Sequence, residues 1–271
     1  KGGAQTTPFY ITVDKYDQNR NFFLGHFFRD NYDTWTSKLP LVSSGIDITR
    51  IEVWVTNKRG NFSEARNIVG FMDIGENTHL ANSHWKPDYS TPNPTNQSNS
   101  LLEEIKTNYP DARYISQIST VLAPLEVYGI TGGNDYEKIE SARLLSSSEY
   151  TLNTSLGYIQ LKTALAADEV LAVAYQYKYR GKTYQVGEFS GDITSTDQSL
   201  YVKMLKSTTT STKTPMWDLM MKNIYSLGAY QMKKDHFKLN IKYLSDTTGT
   251  ELTYLNAGDI SGVPLLQVMN L

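Results

Sequence analysis

The sequence predicts an α+β fold rich in strands: antiparallel sheets, including a β-sandwich-like lobe, with a few short helices. Three observations lead there. Runs of β-branched and aromatic residues recur along the chain, most clearly at 46–57, 170–179 and 237–244. Tight turn sequences separate such runs, at Lys58-Arg59-Gly60-Asn61, Gly157 and Arg180-Gly181-Lys182. Tyr occurs 19 times in 271 residues, with Thr and Ser abundant, a composition suited to half-buried strands.

Taken in order, Tyr10-Ile11-Thr12-Val13 reads as a short opening strand. Over 19–35, the apolar positions 23, 24, 27 and 28 form a helical stripe, and Pro40 closes that region. Over residues 46–57 neither face is purely polar, as expected of a central strand covered on both sides. Residues 67–74 return as its hairpin partner. The stretch 83–100 carries Pro87, Pro92 and Pro94 and is a long loop, of the kind that is functional or mobile rather than buried. Ser100 and Glu103 fit a capping box opening a helix over 101–108, which Pro110 ends. Residues 150–153, 158–161, 170–179 and 183–187 make an antiparallel meander. A Thr/Ser linker at 207–214 precedes a helix near 216–227, bracketed by Pro215 and Gly228. Strands over 237–244 and 251–255 close the chain. Gly132-Gly133 and Ser146-Ser147-Ser148 mark a boundary between two lobes, 1–140 and 141–271. Trp54 and Trp217 are the expected buried anchors.

The charge balance, 26 Lys and Arg against 28 Asp and Glu, argues against a nucleic-acid partner, which needs a concentrated basic face. The absence of Cys removes disulfides, thiol nucleophiles and cysteine zinc sites together. No apolar run approaches the roughly 20 residues of a membrane-spanning helix. Both ends read as cut: there is no initiator Met, and the last residues lie within an apolar run from Val263 to Met269.

Catalytic, metal and cofactor candidates do not survive inspection, and the chain is expected not to be an enzyme. No Ser sits in a Gly-x-Ser-x-Gly elbow. His79 and His84 lie near Asp73, Glu76 and Asp88, but their spacing matches no helical ligand pair. His26 belongs to the aromatic stripe. Glu103-Glu104 suits a helix start and Asp168-Glu169 a strand entry. The Gly-rich run 129–135 lacks the Lys-Ser/Thr ending of a phosphate loop. Tyr175, Tyr177 and Tyr179 share one strand face, which reads as core or as a sugar-stacking platform.

Four blocks resemble the SprA/Sov family of type IX secretion and gliding-motility proteins. The first is Pro8-Phe9-Tyr10-Ile11-Thr12-Val13-Asp14-Lys15-Tyr16, with Asn21-Phe22-Phe23-Leu24 and Phe28-Arg29-Asp30-Asn31-Tyr32. The second runs from Ser44-Gly45-Ile46-Asp47 to Trp54-Val55-Thr56-Asn57, with Arg66-Asn67-Ile68-Val69 and Asp73-Ile74-Gly75-Glu76. The third is Asp168-Glu169-Val170-Leu171-Ala172-Val173-Ala174-Tyr175-Gln176-Tyr177, continuing to Tyr184-Gln185-Val186-Gly187-Glu188-Phe189. The fourth is Trp217-Asp218-Leu219-Met220-Met221-Lys222-Asn223-Ile224-Tyr225-Ser226-Leu227-Gly228-Ala229-Tyr230. The resemblance implies a parent that is a giant outer-membrane channel moving folded cargo to the cell surface. It implies translocon subunits and secreted cargo as partners, and no catalytic residues to carry over. The strands are shorter than barrel-wall strands, so the segment is expected to be a soluble domain of that parent. The length of extracellular loops in such barrels favours the extracellular over the periplasmic side. The alternative is a surface carbohydrate-binding β-sandwich module. A hydrolase with dispersed carboxylates is the third reading.

Overall fold

A computed structural model of the chain describes residues 8–58, 60, 62–228, 235 and 237–269. It falls into two units, Lys1–Ser226 and Leu227–Leu271. In chain order the first unit contains β1 (Asn21–Phe23), α1 (His26–Thr36), β2 (Ile46–Val55), β3 (Arg66–Phe71), α2 (Leu101–Asn108) and α3 (Ile118–Val121). It continues with β4 (Tyr136–Leu144), β5 (Tyr150–Asn153), β6 (Tyr158–Leu161), β7 (Leu171–Tyr179), β8 (Lys182–Val186) and β9 (Leu200–Lys206). The fold is β-rich α+β, as the sequence predicts.

Six strands form one sheet in the order β2-β4-β3-β9-β7-β8, and a further pairing of β2 with β7 closes it into a ring. All pairings are antiparallel except β3 with β9, which is parallel from Ile68↔Leu200 to Phe71↔Lys203. Opposite walls of such a ring face each other across a shared core, as the layers of a sandwich do. Its centre is β7. One edge pairs with β2 from Ile46↔Tyr179 to Val55↔Leu171. The other is shared between β9, at residues 171–173, and β8, at 175–179. Both edges being taken, β7 is buried on both faces from Leu171 to Tyr175.

That pairing corrects the expected boundary near residue 140. Strands from either side of it are hydrogen-bonded over nine residue pairs, and the chain divides instead at Ser226/Leu227. The β2–β3 hairpin is also corrected: β4 lies between them in the sheet. The expected meander is split between two sheets, because β5 and β6 join β1 in a separate three-stranded sheet, order β1-β6-β5. Over 19–35 the helix starts only at His26, since Asn21–Phe23 pairs with β6. Tyr10–Val13 is no strand: it runs into a turn and leaves Tyr10 and Val13 exposed. No helix spans 216–227, where only a 3-10 turn forms at Pro215–Leu219. The reason is β1: Met220 bridges to Phe22 and the Met221 N–H donates to Asn21 O (2.9 Å), so this backbone is drawn alongside the sheet. Trp54 is fully buried, whereas Trp217 is half-buried; Trp35 and Trp85 take the place expected of it in the core. Arg59 and Asn61, where the sequence predicts a turn, lie outside the described residues, as do Ala229 and Tyr230.

The helical segment 101–128 is fastened to the ring by one buried carboxylate. Glu188 takes Arg113 in a two-pronged ion pair, Nη1 to Oε2 at 2.6 Å and Nη2 to Oε1 at 2.7 Å. It also accepts from Lys106 Nζ (2.8 Å) and the Tyr201 N–H (2.9 Å). Burial alone would raise the Glu188 carboxyl, but Arg113 outweighs it and holds it below the usual range.

The second unit is small. β10 (Tyr243–Leu244) pairs with β11 (Glu251–Leu252) across a turn at 246–248, and α4 (Leu265–Val268) buries Leu265. The strand expected over 237–244 is reduced to its last two residues among those described. No helix of the described residues is long and apolar enough to cross a membrane.

Candidate functional site

A buried polar cluster sits where β3 ends. The Glu76 N–H donates to Asp73 O (3.1 Å), closing a turn over residues 73–76. Gly75 holds φ +78°, and a Cβ there would lie 2.8 Å from Val186. Glycine therefore meets both demands of this turn, positive φ and close packing. Asn99 clamps both ends, donating from Nδ2 to Asp73 O and Glu76 O, each at 2.7 Å. Its Oδ1 accepts the Leu101 N–H (2.9 Å) and so opens α2. The expected Ser100–Glu103 box is not made: Ser100 Oγ accepts the Lys86 N–H instead (3.0 Å).

The turn delivers Glu76 into the interior, where its side chain is 5% exposed. Lys203 of β9, 1% exposed, reaches Glu76 Oε1 at 2.8 Å and also donates to Met72 O. His26, at the start of α1, brings Nδ1 to 3.0 Å from the same oxygen, off the line of a good hydrogen bond, while its backbone N–H donates to that oxygen at 3.3 Å. The His26 Nε2 lies 2.9 Å from Pro215 O; a carbonyl only accepts, so Nε2 carries a proton. Burial opposes ionisation of Glu76, yet Lys203 and then His26 override it and set its carboxyl at about 2. Asp73 goes the other way. Burial pushes it up to about 6 despite hydrogen bonds from the Ala81 and Asn82 N–H groups, at 2.8 and 3.1 Å.

Chemically, Glu76 is a poor proton acceptor near neutral pH, because a general base works best near the ambient pH. Asp73 is nearer that range, but both of its oxygens are engaged and it is 2% exposed. The group acts as a structural junction of β3, β9, α1 and the turn. On its outer side Glu76 lines a cleft of about 290 Å³. Phe27, Asp30 and Asn31 of α1, Gly75 of the turn, Asn77 and Thr78 beyond it, and Tyr89 with two prolines of the 83–100 loop complete the walls.

The residues singled out in the sequence are dispersed. His79 binds Asp30 (Nε2 to Oδ2, 2.7 Å) and stacks on His26 at 4.5 Å. His84 binds Glu104 (2.7 Å) and stacks on Tyr128 at 4.1 Å. No group of three His, Asp or Glu able to hold a metal occurs among the described residues. Asp168 pairs with Lys58 at 2.5 Å, and Glu169 accepts the Ala166 N–H at 2.7 Å, both at the β7 entry. Tyr175 and Tyr177 are core, with Tyr177 Oη donating to Pro94 O (2.9 Å). The 83–100 loop, expected to stand away from the core, buries Trp85, Thr95, Ser98 and Asn99. Neither a protein-family model nor a curated protein matches the chain.

Proposed function

We propose that the chain is a non-catalytic domain of a giant outer-membrane protein-export channel of the SprA/Sov kind, acting in secretion of folded cargo and in gliding motility. Translocon subunits and cargo are its partners, the outer membrane holds the parent, and this domain stands on the extracellular side. The observation that supports this reading is where the resembling blocks lie. The first three run through β1, α1, β2, β3, the 73–76 turn, β7 and β8, together with Glu188. They therefore trace one frame, most of the ring with the buried carboxylates Asp73, Glu76 and Glu188, rather than one hairpin that composition alone could imitate. Within that frame function resides in shape and contact.

Two measurements test it. Excising residues 8–226 from the parent is expected to block cargo export while the channel still inserts; undiminished export would sink the proposal. An epitope placed at the exposed Arg180-Gly181 tip of the β7–β8 hairpin is expected to be reached by antibody on intact cells. Labelling only after the outer membrane is opened would move the domain to the periplasmic side.

A further inference from the structure

The cleft beside Glu76 has its charges already matched. Glu76 is held by Lys203 (2.8 Å) and His26 (3.0 Å). Asp30 is held by His79 (2.7 Å) and Arg29 (3.1 Å). An ionic ligand would have to compete for groups that already have counter-charges, at a desolvation cost to itself. What suits the cleft is a neutral ligand, whose hydroxyls can still reach lone pairs of the paired Asp30 carboxylate. The Nδ2 atoms of Asn31 and Asn77 are spent on Phe27 O (2.8 Å) and Thr91 O (3.1 Å), which leaves their Oδ1 atoms as acceptors. The Tyr89 hydroxyl both donates and accepts.

The cleft also offers a flat apolar surface. Tyr89 is 75% exposed, a large ring kept out of the core. Its position is prepared in advance. Asp88, the residue before it, accepts the Ser90 N–H (2.9 Å) and the Thr91 hydroxyl (3.0 Å), from one and two residues after it. Beyond it, Pro94 O is fixed by buried Tyr177. The backbone that carries the ring is therefore held on both sides of it before a ligand arrives. The volume, about 290 Å³, lies at the lower end of small-ligand sites, which run from about 300 to 1,000 Å³. A ring with a C–H face for Tyr89 and a rim of hydroxyls for the amide oxygens and Asp30 satisfies every one of these features.

We propose that the cleft between α1 and the 83–100 loop binds a neutral sugar unit, a hexopyranose stacked on Tyr89 with its hydroxyls on Asn31, Asn77 and Asp30. The inference stands independently of the export reading. It relocates sugar recognition from the Tyr175–Tyr179 face, where Tyr175 and Tyr177 are core and Tyr179 is half-buried, to an exposed aromatic on a loop.

The test is an NMR titration of the 271-residue chain with methyl glucoside, methyl galactoside, methyl mannoside and N-acetylglucosamine, beside methylammonium chloride and sodium acetate as charged probes. At least one sugar is expected to shift Tyr89 and Asn77 signals saturably. Tyr89→Ala is expected to weaken that binding about tenfold, and Tyr89→Trp to keep it within about threefold. Because Tyr89 is exposed, an unchanged spectrum elsewhere confirms that the variants fold. No saturable shift with any sugar, binding that survives Tyr89→Ala, or shifts there by a charged probe alone would each overturn the proposal. None of these results bears on cargo export, so the two proposals fail separately.

Discussion

Lys203→Met removes the ammonium from the buried junction while keeping a long, flexible side chain in β9. The loss can be sized from Glu76. Its carboxyl sits at about 2 against an ordinary 4.5, net of the burial that opposes it. At about 1.4 kcal/mol per pH unit, that displacement corresponds to about 3 kcal/mol favouring the ionised form. Taking the cation away forfeits this and leaves a carboxylate facing the interior, so the expected destabilisation is about 3–5 kcal/mol. The sign of the pH dependence changes with it. In the wild type a depressed carboxyl contributes stability that is present above about 4.5 and lost as pH falls through about 2. In the variant, burial without Lys203 raises Glu76 above its ordinary value, so acidification from pH 7 to 5 narrows the gap to wild type. Urea unfolding followed by the fluorescence of Trp35, Trp54 and Trp85, all buried, measures both effects. The double change Glu76→Gln with Lys203→Met should recover much of the loss, because no uncompensated charge remains. A loss under about 1 kcal/mol, or a double variant no better than the single one, would refute the reasoning.

Asp73 contributes with the opposite sign: raised from 3.8 to about 6, it gives stability fully present below 3.8 and lost as pH rises through about 6. The wild type should therefore gain about 2 kcal/mol between pH 7 and pH 4.5 from this group, and Asp73→Asn should abolish that gain in the same unfolding assay. Gly157→Ala should cost more than about 2 kcal/mol, since φ is +63° and its Cβ would strike the Phe28 ring; Gly181→Ala, also at positive φ but in open space, should cost about 1 kcal/mol. Trp54→Ala should cost about 3–5 kcal/mol and Trp217→Ala clearly less, because only Trp54 is fully buried.

The strands that could be read were those whose local pattern agrees with their final environment. β7 is a continuous apolar run buried on both faces, and β8 follows across a turn in which Arg180 and Gly181 both take positive φ. β4 was hidden because it carries a bulge. Ser141 holds φ +50° with its N–H on Asn67 Oδ1, and the β3 register shifts beside it. The buried positions Tyr136, Ile139 and Ala142 fall three apart, a spacing that matches no strand template: the bulge adds a residue between Ile139 and Ala142, whereas Tyr136 and Ile139, in regular register, lie on opposite faces. Overlooking β4 led directly to the β2–β3 hairpin and to a lobe boundary drawn through a central strand. β9 was hidden for a different reason: Lys203 and Lys206 interrupt its apolar run, and lysines ordinarily signal solvent. Here one is neutralised by Glu76, and the other donates to Ala167 O and Glu169 O, at 2.8 and 2.6 Å.

The first of these lysines also explains why the junction could not be found by scanning for motifs. A motif is a spacing, and spacing reports geometry only within one element or one turn. Glu76 and His26 lie 50 residues apart, and Lys203 arrives from the far end of the unit because β9 pairs in parallel with β3. What the sequence does carry locally is an irregularity at each member: a lysine amid Leu200, Tyr201, Val202 and Met204, a Gly-Glu pair ending a strand, a histidine amid phenylalanines. Each alone has an ordinary explanation. Buried charges, however, must be paired, so a lysine inside a run too apolar to face water demands an acid brought from elsewhere. The demand also runs in reverse: a strand that must bury Lys203 can pair only where Glu76 awaits it. A register slip of one residue at β9 would leave both charges unmatched, at a cost of several kcal/mol. The ion pair therefore fixes the register of the one parallel pairing in the ring, the step that the turn chemistry of hairpins does not determine.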